Sequence, residues 1–206
     1  MNTTKKDLTI LIKEALKESA TYEDYYKLCQ ELSETEKTTG EHQTEALINY
    51  TKLNARRMKR WSKTVKISEE AITEIKKLNT QMTWLVLSES WCGDAAHILP
   101  VLDKIVSSNK NIQLKIILRD EHLNLMSQFL TNGNQSIPKL IALDQDHKVR
   151  YTYGPRPTTA TKMVQEYKET HGALTPEFKE ELQRWYNKDK GQTIIKDLIA
   201  QINTIR

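Results

Sequence analysis

The sequence predicts an α/β fold, with a mixed sheet that carries helices on both faces and with extra helices before and after it. Between residues 68 and 170, short apolar runs alternate with segments of helical spacing, which is typical of parallel strands joined by helices. Two later apolar runs, 136–144 and 147–154, follow each other closely across a polar turn, and this predicts an antiparallel hairpin. The flanking segments 1–62 and 172–206 show helical spacing alone.

The chain is therefore predicted to have three parts. Residues 1–62 form an N-terminal helical extension, residues 63–171 form the sheet domain, and residues 172–206 form a C-terminal helical extension packed on that same domain. In the N-terminal extension, apolar residues repeat at helical spacing in three segments. Their members are Leu8, Leu11, Ile12, Ala15 and Leu16, then Tyr22, Tyr25, Tyr26, Cys29 and Leu32, then Leu47, Tyr50, Leu53, Met58 and Trp61.

The sheet domain has the predicted order α-β-α-β-α-β-β-α. Ser68 fits the N-cap of its first helix. The run 83–89 is almost continuously apolar, as expected of a strand buried on both faces, and 111–120 is also strand-like. A segment of helical spacing follows each of these two strands, and the one after the second strand spans 121–130. The last helix of the domain is predicted over 158–169.

The C-terminal extension is predicted to contain two helices. Thr175 and Pro176 form an N-cap followed by a first-turn proline, and Gly191 interrupts the helical pattern before it resumes. Three aromatic residues are expected to pack this extension against the sheet domain, namely Phe178, Trp185 and Tyr186.

Composition disfavours several classes of function. The net charge of +4 is mild and predicts no nucleic-acid binding. Charges interrupt the N-terminal apolar stretch, so no signal peptide is expected, and no run reaches the roughly 18 apolar residues of a membrane span. Two cysteines in a chain without a predicted signal peptide favour a reducing compartment, and we expect the protein to be cytoplasmic. The basic run 55–66 is interpreted as a solvated helix face or, alternatively, as a docking patch for an acidic partner.

Cys92 is the candidate catalytic residue. The tripeptide Trp91-Cys92-Gly93 directly follows a buried strand and opens a helix. A cysteine at a helix N-terminus faces unpaired N–H groups and the positive end of the helix dipole, which favour the thiolate. Asp94 adds a nearby negative charge that opposes the thiolate, and it also stabilises the helix start. We expect a moderately activated thiol. His97 is interpreted as a surface or hydrogen-bonded histidine, with a general-base role as the alternative.

Further positions extend the pattern around Cys92. A proline lies inside the following helix, an Ile-Pro element starts a strand, and a glycine ends the hairpin. These residues are Pro100, Ser136, Ile137, Pro138 and Gly154. Together with Trp91-Cys92-Gly93 and the strand–helix order, they make residues 65–170 resemble the thioredoxin superfamily.

The resemblance implies a thioredoxin-like fold and a substrate site. In that superfamily the proline equivalent to Pro138 is cis and faces the cysteine, and the backbone of the residue before it pairs with an incoming peptide. Lys139 has two interpretations, either assisting a substrate anion or the thiolate, or being a solvated strand residue. The substrate-binding residues expected beside Cys92 are Trp91, Gly93, Asp94, Ile137, Pro138 and Lys139.

Two departures from the superfamily pattern change the expected chemistry. Ala95 stands where the resolving cysteine falls, and Val86 stands where a buried carboxylate serves that second thiol. Dithiol enzymes attack with one sulfur and release the mixed disulfide with the other. Both departures therefore disfavour ordinary dithiol reduction. Cys29 is interpreted as a small buried hydrophobe, with a role as the missing partner as the alternative.

Two functions remain open, and whether the protein is an enzyme depends on which is correct. The first is thiol–disulfide exchange by Cys92 as a monothiol, on a protein or low-molecular-weight disulfide, with an external thiol completing the reaction. The second is a catalytically degenerate thioredoxin-fold module that binds a protein partner. No cofactor is predicted. The other histidines are scattered, so no metal site is predicted within one chain, and the sequence indicates no particular oligomeric state.

Overall fold

A computed structural model of the chain describes residues 5–205, which form nine helices and four strands. The helices are α1 (Lys5–Glu18), α2 (Tyr22–Glu34), α3 (Glu45–Thr64), α4 (Glu69–Lys76), α5 (Ala95–Val106), α6 (Leu123–Met126), α7 (Thr158–His171), α8 (Pro176–Asp189) and α9 (Gln192–Asn203). The strands are β1 (Met82–Ser88), β2 (Ile112–Leu118), β3 (Lys139–Asp144) and β4 (Val149–Tyr153).

The four strands form one mixed sheet in the order β2-β1-β3-β4. Strand β1 is parallel to β2, to which α5 connects it, and antiparallel to β3, which in turn pairs antiparallel with β4. Val86 lies in the middle of β1, opposite Ile116 on one side and Leu140 on the other. The predicted α/β architecture, with its parallel pair and its final hairpin, is confirmed.

Strand β1 forms the centre of the hydrophobic core. Its residues from Trp84 to Leu87 have no exposed surface, as expected of a strand with neighbours on both edges and helices above it. Helix α5 contacts the neighbouring strand β2 as well as α3 and α9. Val86 is therefore surrounded by apolar groups, and an ionised carboxylate at its position would be strongly disfavoured.

The first two helices protect the free edge of the sheet. Helix α2 and helix α1 contact β2, and the short segment between these helices pairs with that strand. Ala20 and Ile116 exchange two backbone hydrogen bonds of 2.8 and 2.9 Å. An unpaired strand edge is prone to aggregation, so this bridge covers part of the exposed side of β2.

The C-terminal helices begin where the sequence predicts. Thr175 caps α8 by accepting a hydrogen bond from the Phe178 N–H at 3.3 Å, and Pro176 occupies the first turn. Gly191 has a φ of +80°, and a Cβ there would lie 2.8 Å from the Val101 side chain. A glycine is therefore required for α9 to pack closely on α5.

One predicted helix is much shorter than its sequence pattern. Helical spacing over 121–130 predicts about three turns, but only Leu123–Met126 is α-helical. Beyond it the chain turns through shorter-range hydrogen bonds, such as Phe129 N–H to Met126 O at 3.0 Å. The chain must reverse here to reach β3, and this tertiary requirement overrides the local spacing. No helix in the described range 5–205 is long and apolar enough to cross a membrane.

Candidate active site

Cys92 lies in the turn between β1 and α5. Its N–H donates to the carbonyl oxygen of Glu89 at 3.0 Å, and its own carbonyl accepts from the Ala96 N–H at 3.2 Å. The first bond closes the turn and the second begins the hydrogen bonding of the helix. Because strand and helix follow each other so closely, the sulfur is held at the N-terminus of α5, as the sequence predicts.

The Cys92 sulfur also contacts the loop before β3. The thiol donates to the Ile137 carbonyl oxygen at an S···O distance of 3.3 Å, and the Ile137–Pro138 peptide bond is cis. Gly154 packs against this element, because with a φ of +103° its missing Cβ would lie only 2.2 Å from the Pro138 oxygen. The Gly154–Pro155 bond is cis as well, and the sequence does not predict it.

The environment of Cys92 favours the protonated thiol. The residue is 7% exposed, and burial raises the pKa of its thiol to about 12, with the Asp94 carboxylate acting in the same direction. Hydrogen bonds from the backbone of Ala95 and Asp94, and the charge of Arg156, oppose this shift. The predicted direction of the Asp94 effect agrees with the structure. The expected moderate activation does not, because loss of hydration outweighs the helix N-terminus.

Asp94 is buried and makes two strong contacts. Its Oδ2 lies 2.8 Å from Arg156 Nη2, and its Oδ1 accepts a 2.9 Å hydrogen bond from the Tyr186 hydroxyl. Burial raises the pKa of this carboxyl, and Arg156 counteracts that effect. Asp94 makes no side-chain capping bond to α5. The carboxylate therefore joins α8 and the segment after β4 to the active-site turn, instead of stabilising the helix start as a cap.

His97 attaches α8 to α5. Its ring is fully buried, stacks on Tyr186 at a centroid distance of 4.5 Å and meets Trp61 edge-on at 4.8 Å. Nε2 lies 2.6 Å from Oε1 of Gln183, which requires the proton to be on Nε2. Burial lowers the pKa of His97 to about 3, so the ring is neutral near pH 7. Of its two interpretations, the hydrogen-bonded histidine fits and the general base does not.

An open cleft of about 710 Å³ lies beside Cys92. Helix α3 forms one wall and α8 the other, so both predicted extensions contribute to the site. Five of the predicted site residues line the cleft together: Trp91, Cys92, Gly93, Asp94 and Ile137. The other two do not line it.

Pro138 and Lys139 are buried behind the cleft. Lys139 is 6% exposed at the start of β3, opposite Leu87 of the central strand. Burial lowers the pKa of its ammonium group. The interpretation of Lys139 as a solvated strand residue is therefore wrong, and Lys139 is not among the residues that line the cleft.

Four basic side chains line the cleft that sequence reasoning did not assign to it: Arg57, Arg119, Arg156 and Lys179. Arg119 lies over the Trp91 ring, 4.9 Å from its centroid. Arg57 belongs to the basic run 55–66, and this run is the only feature of the sequence that marks Arg57 as a possible binding residue. The run itself predicts a solvated helix face or a docking patch. The others are distant along the chain, and no local pattern brings them together.

The loop that carries Cys92 is held by a buried hydroxyl cluster. The Ser90 hydroxyl lies 2.9 Å from the Thr51 hydroxyl and 3.2 Å from that of Thr38, and it accepts from the Thr39 N–H at 3.1 Å. The Asn54 amide donates to the Ser90 carbonyl oxygen at 3.0 Å. These contacts attach the loop between α2 and α3, and α3 itself, to the active-site turn.

Cys29 is buried on α2, and both cysteines are free thiols. Burial raises the pKa of the Cys29 thiol to about 12, which agrees with its interpretation as a small hydrophobic residue. One turn before it, Tyr25 contacts the end of β1 through a 3.0 Å hydrogen bond between its hydroxyl and that of Ser88. Among residues 5–205, no three or more His, Cys, Asp and Glu side chains are arranged to hold a metal ion.

Two solved structures share this fold. A protein of unknown function from Pseudomonas aeruginosa superposes with a TM-score of 0.58 at 20% identity, covering 77% of this chain and 86% of that one. An HIV epitope scaffold superposes with a TM-score of 0.55 at 19% identity, covering 76% and 86%. These likenesses concern the fold alone.

Sequence comparison assigns the family. No curated protein matches the chain significantly. A family model described as Thioredoxin matches residues 40–168, which include α3, the whole sheet, the Cys92 turn and most of α7. Most of the chain is thus covered, and the order of elements agrees with the fold described above. The chain belongs to the thioredoxin family.

Proposed function

We propose that this protein catalyses thiol–disulfide exchange through Cys92 as a monothiol. One observation carries the proposal: Cys92 lines an open cleft, and its sulfur lies at the N-terminus of α5, 3.3 Å from the Ile137 carbonyl oxygen. A small disulfide in the cleft would lie beside Cys92 and Trp91, which line it together. The substrate class is a disulfide of a protein or of a low-molecular-weight thiol.

The reaction proceeds in two exchanges. The Cys92 sulfur loses its proton and attacks one sulfur of a disulfide R–S–S–R. The original S–S bond breaks, a mixed disulfide between Cys92 and RS forms, and the leaving RS⁻ takes up a proton. A second thiol, R′SH, then attacks the RS sulfur of the mixed disulfide. This step releases the Cys92 thiol and yields R–S–S–R′, so no other oxidant or reductant is needed.

An external thiol is the natural partner for the second exchange. Ala95 has no sulfur to offer, and Cys29 is 1% exposed within the packed face of α2. A reducing compartment such as the cytoplasm supplies small thiols continuously, and both cysteines of this chain are free.

The alternative is a binding module without turnover. The raised pKa of Cys92, about 12, favours this alternative, because few thiolates form near neutral pH. In that case the cleft between α3 and α8 would hold a partner segment, and Cys92 would be a buried contact. The backbone hydrogen bonds from Asp94 and Ala95 favour exchange instead, since they stabilise negative charge that develops on the sulfur.

The test is thiol release from a mixed disulfide of a small thiol, followed in excess reducing thiol with reduced wild type, Cys92→Ser and Cys29→Ser. We expect wild type and Cys29→Ser to accelerate release and Cys92→Ser to match the reaction without protein. If wild type and Cys92→Ser behave alike, exchange is excluded and the binding module is favoured. Loss of activity in folded Cys29→Ser would instead indicate intramolecular resolution.

A further inference from the structure

We propose that the cleft beside Cys92 is selective for a low-molecular-weight disulfide that carries a carboxylate, and that Arg57 is the residue that binds this carboxylate. The inference takes the exchange reaction from the proposed function and specifies its substrate class. It rests on the charges that line the cleft, on how Arg57 is held, and on the size and shape of the space.

The charged residues that line the cleft are basic at four positions and acidic at two, so the lining is net positive; they are Arg57, Arg119, Arg156 and Lys179 against Asp94 and Glu180. Arg156 is already paired with Asp94 at 2.8 Å, and Arg119 with Asp120 at 2.7 Å. Within the part of the chain whose side chains are described, no carboxylate lies within ion-pair distance of Arg57. The Asp94 carboxylate attracts the Arg57 guanidinium from beyond ion-pair distance, but it is itself paired with Arg156. The half-buried guanidinium has therefore lost hydration without gaining an ion pair of its own, so it attracts an anion.

Arg57 is held in place next to the reactive cysteine. Its Nη1 donates to the Asn54 side-chain oxygen at 3.0 Å, and the amide nitrogen of Asn54 donates to the Ser90 carbonyl oxygen at 3.0 Å. The same Nη1 lies 3.5 Å from the position that a Cβ on Gly93 would occupy. The guanidinium is thus oriented by the loop that carries Cys92. Its remaining N–H groups form a planar fork that fits a carboxylate.

The shape of the site favours a small thiol compound over an extended protein segment. The cleft volume of about 710 Å³ is within the range of small-molecule sites. Helices α3 and α8 wall it on both sides, and Leu53 and Leu182 supply apolar surface for the ligand's carbon chain. The Ile137 carbonyl oxygen, which an extended peptide would use for pairing, accepts the Cys92 thiol, so a peptide would have to share this acceptor.

Binding at Arg57 then promotes the first exchange. With its carboxylate on Arg57, a short disulfide places one sulfur beside Cys92. The S–S bond of the ligand breaks, the Cys92–S bond to that half forms, and the other half leaves as a thiol with the proton that Cys92 has lost. Holding the reactants together in this way raises their effective concentration without changing the chemistry.

Recognition is tested first without chemistry, in the Cys92→Ser protein. The probes are 3,3′-dithiodipropionate and its diamide, which differ only in carboxylate against carboxamide, and binding is measured by calorimetry at low ionic strength. We expect the dicarboxylate to bind at least about tenfold more tightly than the diamide, as for a charge-assisted hydrogen bond. Adding Arg57→Gln should abolish this preference. Adding Arg56→Gln, on the exposed side of the same helix, should preserve it.

Equal binding of the two probes, or no binding of either, overturns the inference. This comparison does not depend on whether Arg57→Gln folds, because it uses a protein in which Arg57 is unchanged. An exchange assay with the same two probes distinguishes failure of the carboxylate site from failure of the proposed exchange reaction. If the dicarboxylate binds selectively but wild type and Cys92→Ser release thiol alike, the anion site stands and exchange fails. If Cys92-dependent exchange occurs at equal rates with both probes and binding is unselective, exchange stands and the carboxylate site is excluded.

Discussion

At the scale of single residues, the ionisation of Cys92 is decided by opposing neighbours. Its burial and the adjacent Asp94 favour the thiol, whereas the amides at the start of α5 and Arg156 favour the thiolate. Asp94 is the one contributor that can be neutralised without changing the size of its side chain. Asp94 also forms an ion pair with Arg156 and so partly neutralises a positive charge that stabilises the Cys92 thiolate.

Asp94→Asn should therefore make Cys92 more reactive. Removing the negative charge lowers the pKa of the thiol, and Arg156 loses its carboxylate partner, so the thiolate is favoured twice. We expect alkylation of Cys92 by iodoacetamide at pH 7.5 to become about tenfold faster. The wild-type rate should keep rising with pH above 9, because its pKa is about 12, whereas the variant should level off earlier.

The measurement uses Cys29→Ser in every protein, so that a single thiol is followed. Asp103→Asn, at the other end of α5, is the matched control and should leave the rate unchanged. An unchanged rate in folded Asp94→Asn would mean that the charge of Asp94 does not affect the ionisation of Cys92.

At the scale of elements, the docking of α8 on α5 depends on a buried neutral histidine. His97 has a pKa of about 3 in the folded protein, whereas an unfolded chain has the ordinary value near 6.5. Below pH 6.5 the unfolded state therefore binds a proton that the folded state does not. Stability must fall as the pH decreases through this window.

His97→Phe should reduce this acid sensitivity. Phenylalanine can keep the stack on Tyr186 and has no proton to gain, although it loses the bond to Gln183. From pH 6.5 to pH 5, we expect His97 to account for about 2 kcal/mol of the wild-type decrease in unfolding free energy. Urea denaturation at the two pH values measures the difference. The exposed His42→Phe serves as control, and identical pH slopes in wild type and His97→Phe would contradict the prediction.

The attachment of the α2–α3 loop to the active-site turn can be tested at Ser90. Ser90→Ala removes the acceptor of the Thr39 N–H and the shared partner of the Thr38 and Thr51 hydroxyls, all in a buried place. Unpaired buried polar groups are costly, so we expect a loss of about 2–3 kcal/mol in unfolding free energy. The exposed Ser107→Ala should change it by less than about 0.5 kcal/mol. A similar small effect at Ser90 would show that the cluster does not hold the loop.

At the scale of the whole molecule, the C-terminal extension is part of the core. Its buried apolar side chains are Phe178, Leu182, Tyr186, Ile194, Ile195, Leu198 and Ile202. Burial of each such side chain contributes about 1.5–3 kcal/mol, so losing all seven removes more than the net stability of a typical domain, about 5–15 kcal/mol. The extension also supplies Tyr186 and Gln183 to the active-site region.

A chain that ends at residue 171 should therefore fail to fold cooperatively. We expect its near-ultraviolet circular dichroism to be lost and its thermal transition to broaden or disappear, because Trp61 and His97 would be uncovered. The full-length chain prepared in parallel is the reference. Cooperative unfolding of the shortened chain would show that residues 63–171 and the N-terminal helices are sufficient for a stable fold. In that case the predicted boundary at 172 would separate an accessory unit.

The elements of the fold were predictable because their signals are local. The continuous apolar run of β1, the caps at Ser68 and Thr175 and the break at Gly191 each depend on neighbouring residues, and all occur in the structure. The segment 121–130 was misjudged because a chain reversal overrides helical spacing. In the sequence Arg57 is only part of a basic run, since the Cys92 turn that it lies beside is distant along the chain.

The sequence by itself determined the order of strands and helices, the position of Cys92 at the start of α5 and the lack of a second thiol at Ala95. Those properties follow from periodicity and adjacency along the chain. Only the tertiary structure decided that burial favours the thiol form of Cys92, that α3 and α8 wall its cleft, and that Arg57 lines this cleft without an ion pair of its own. Hydration and charge interactions depend on what surrounds a group in three dimensions, and folding brings those surroundings from distant parts of the chain.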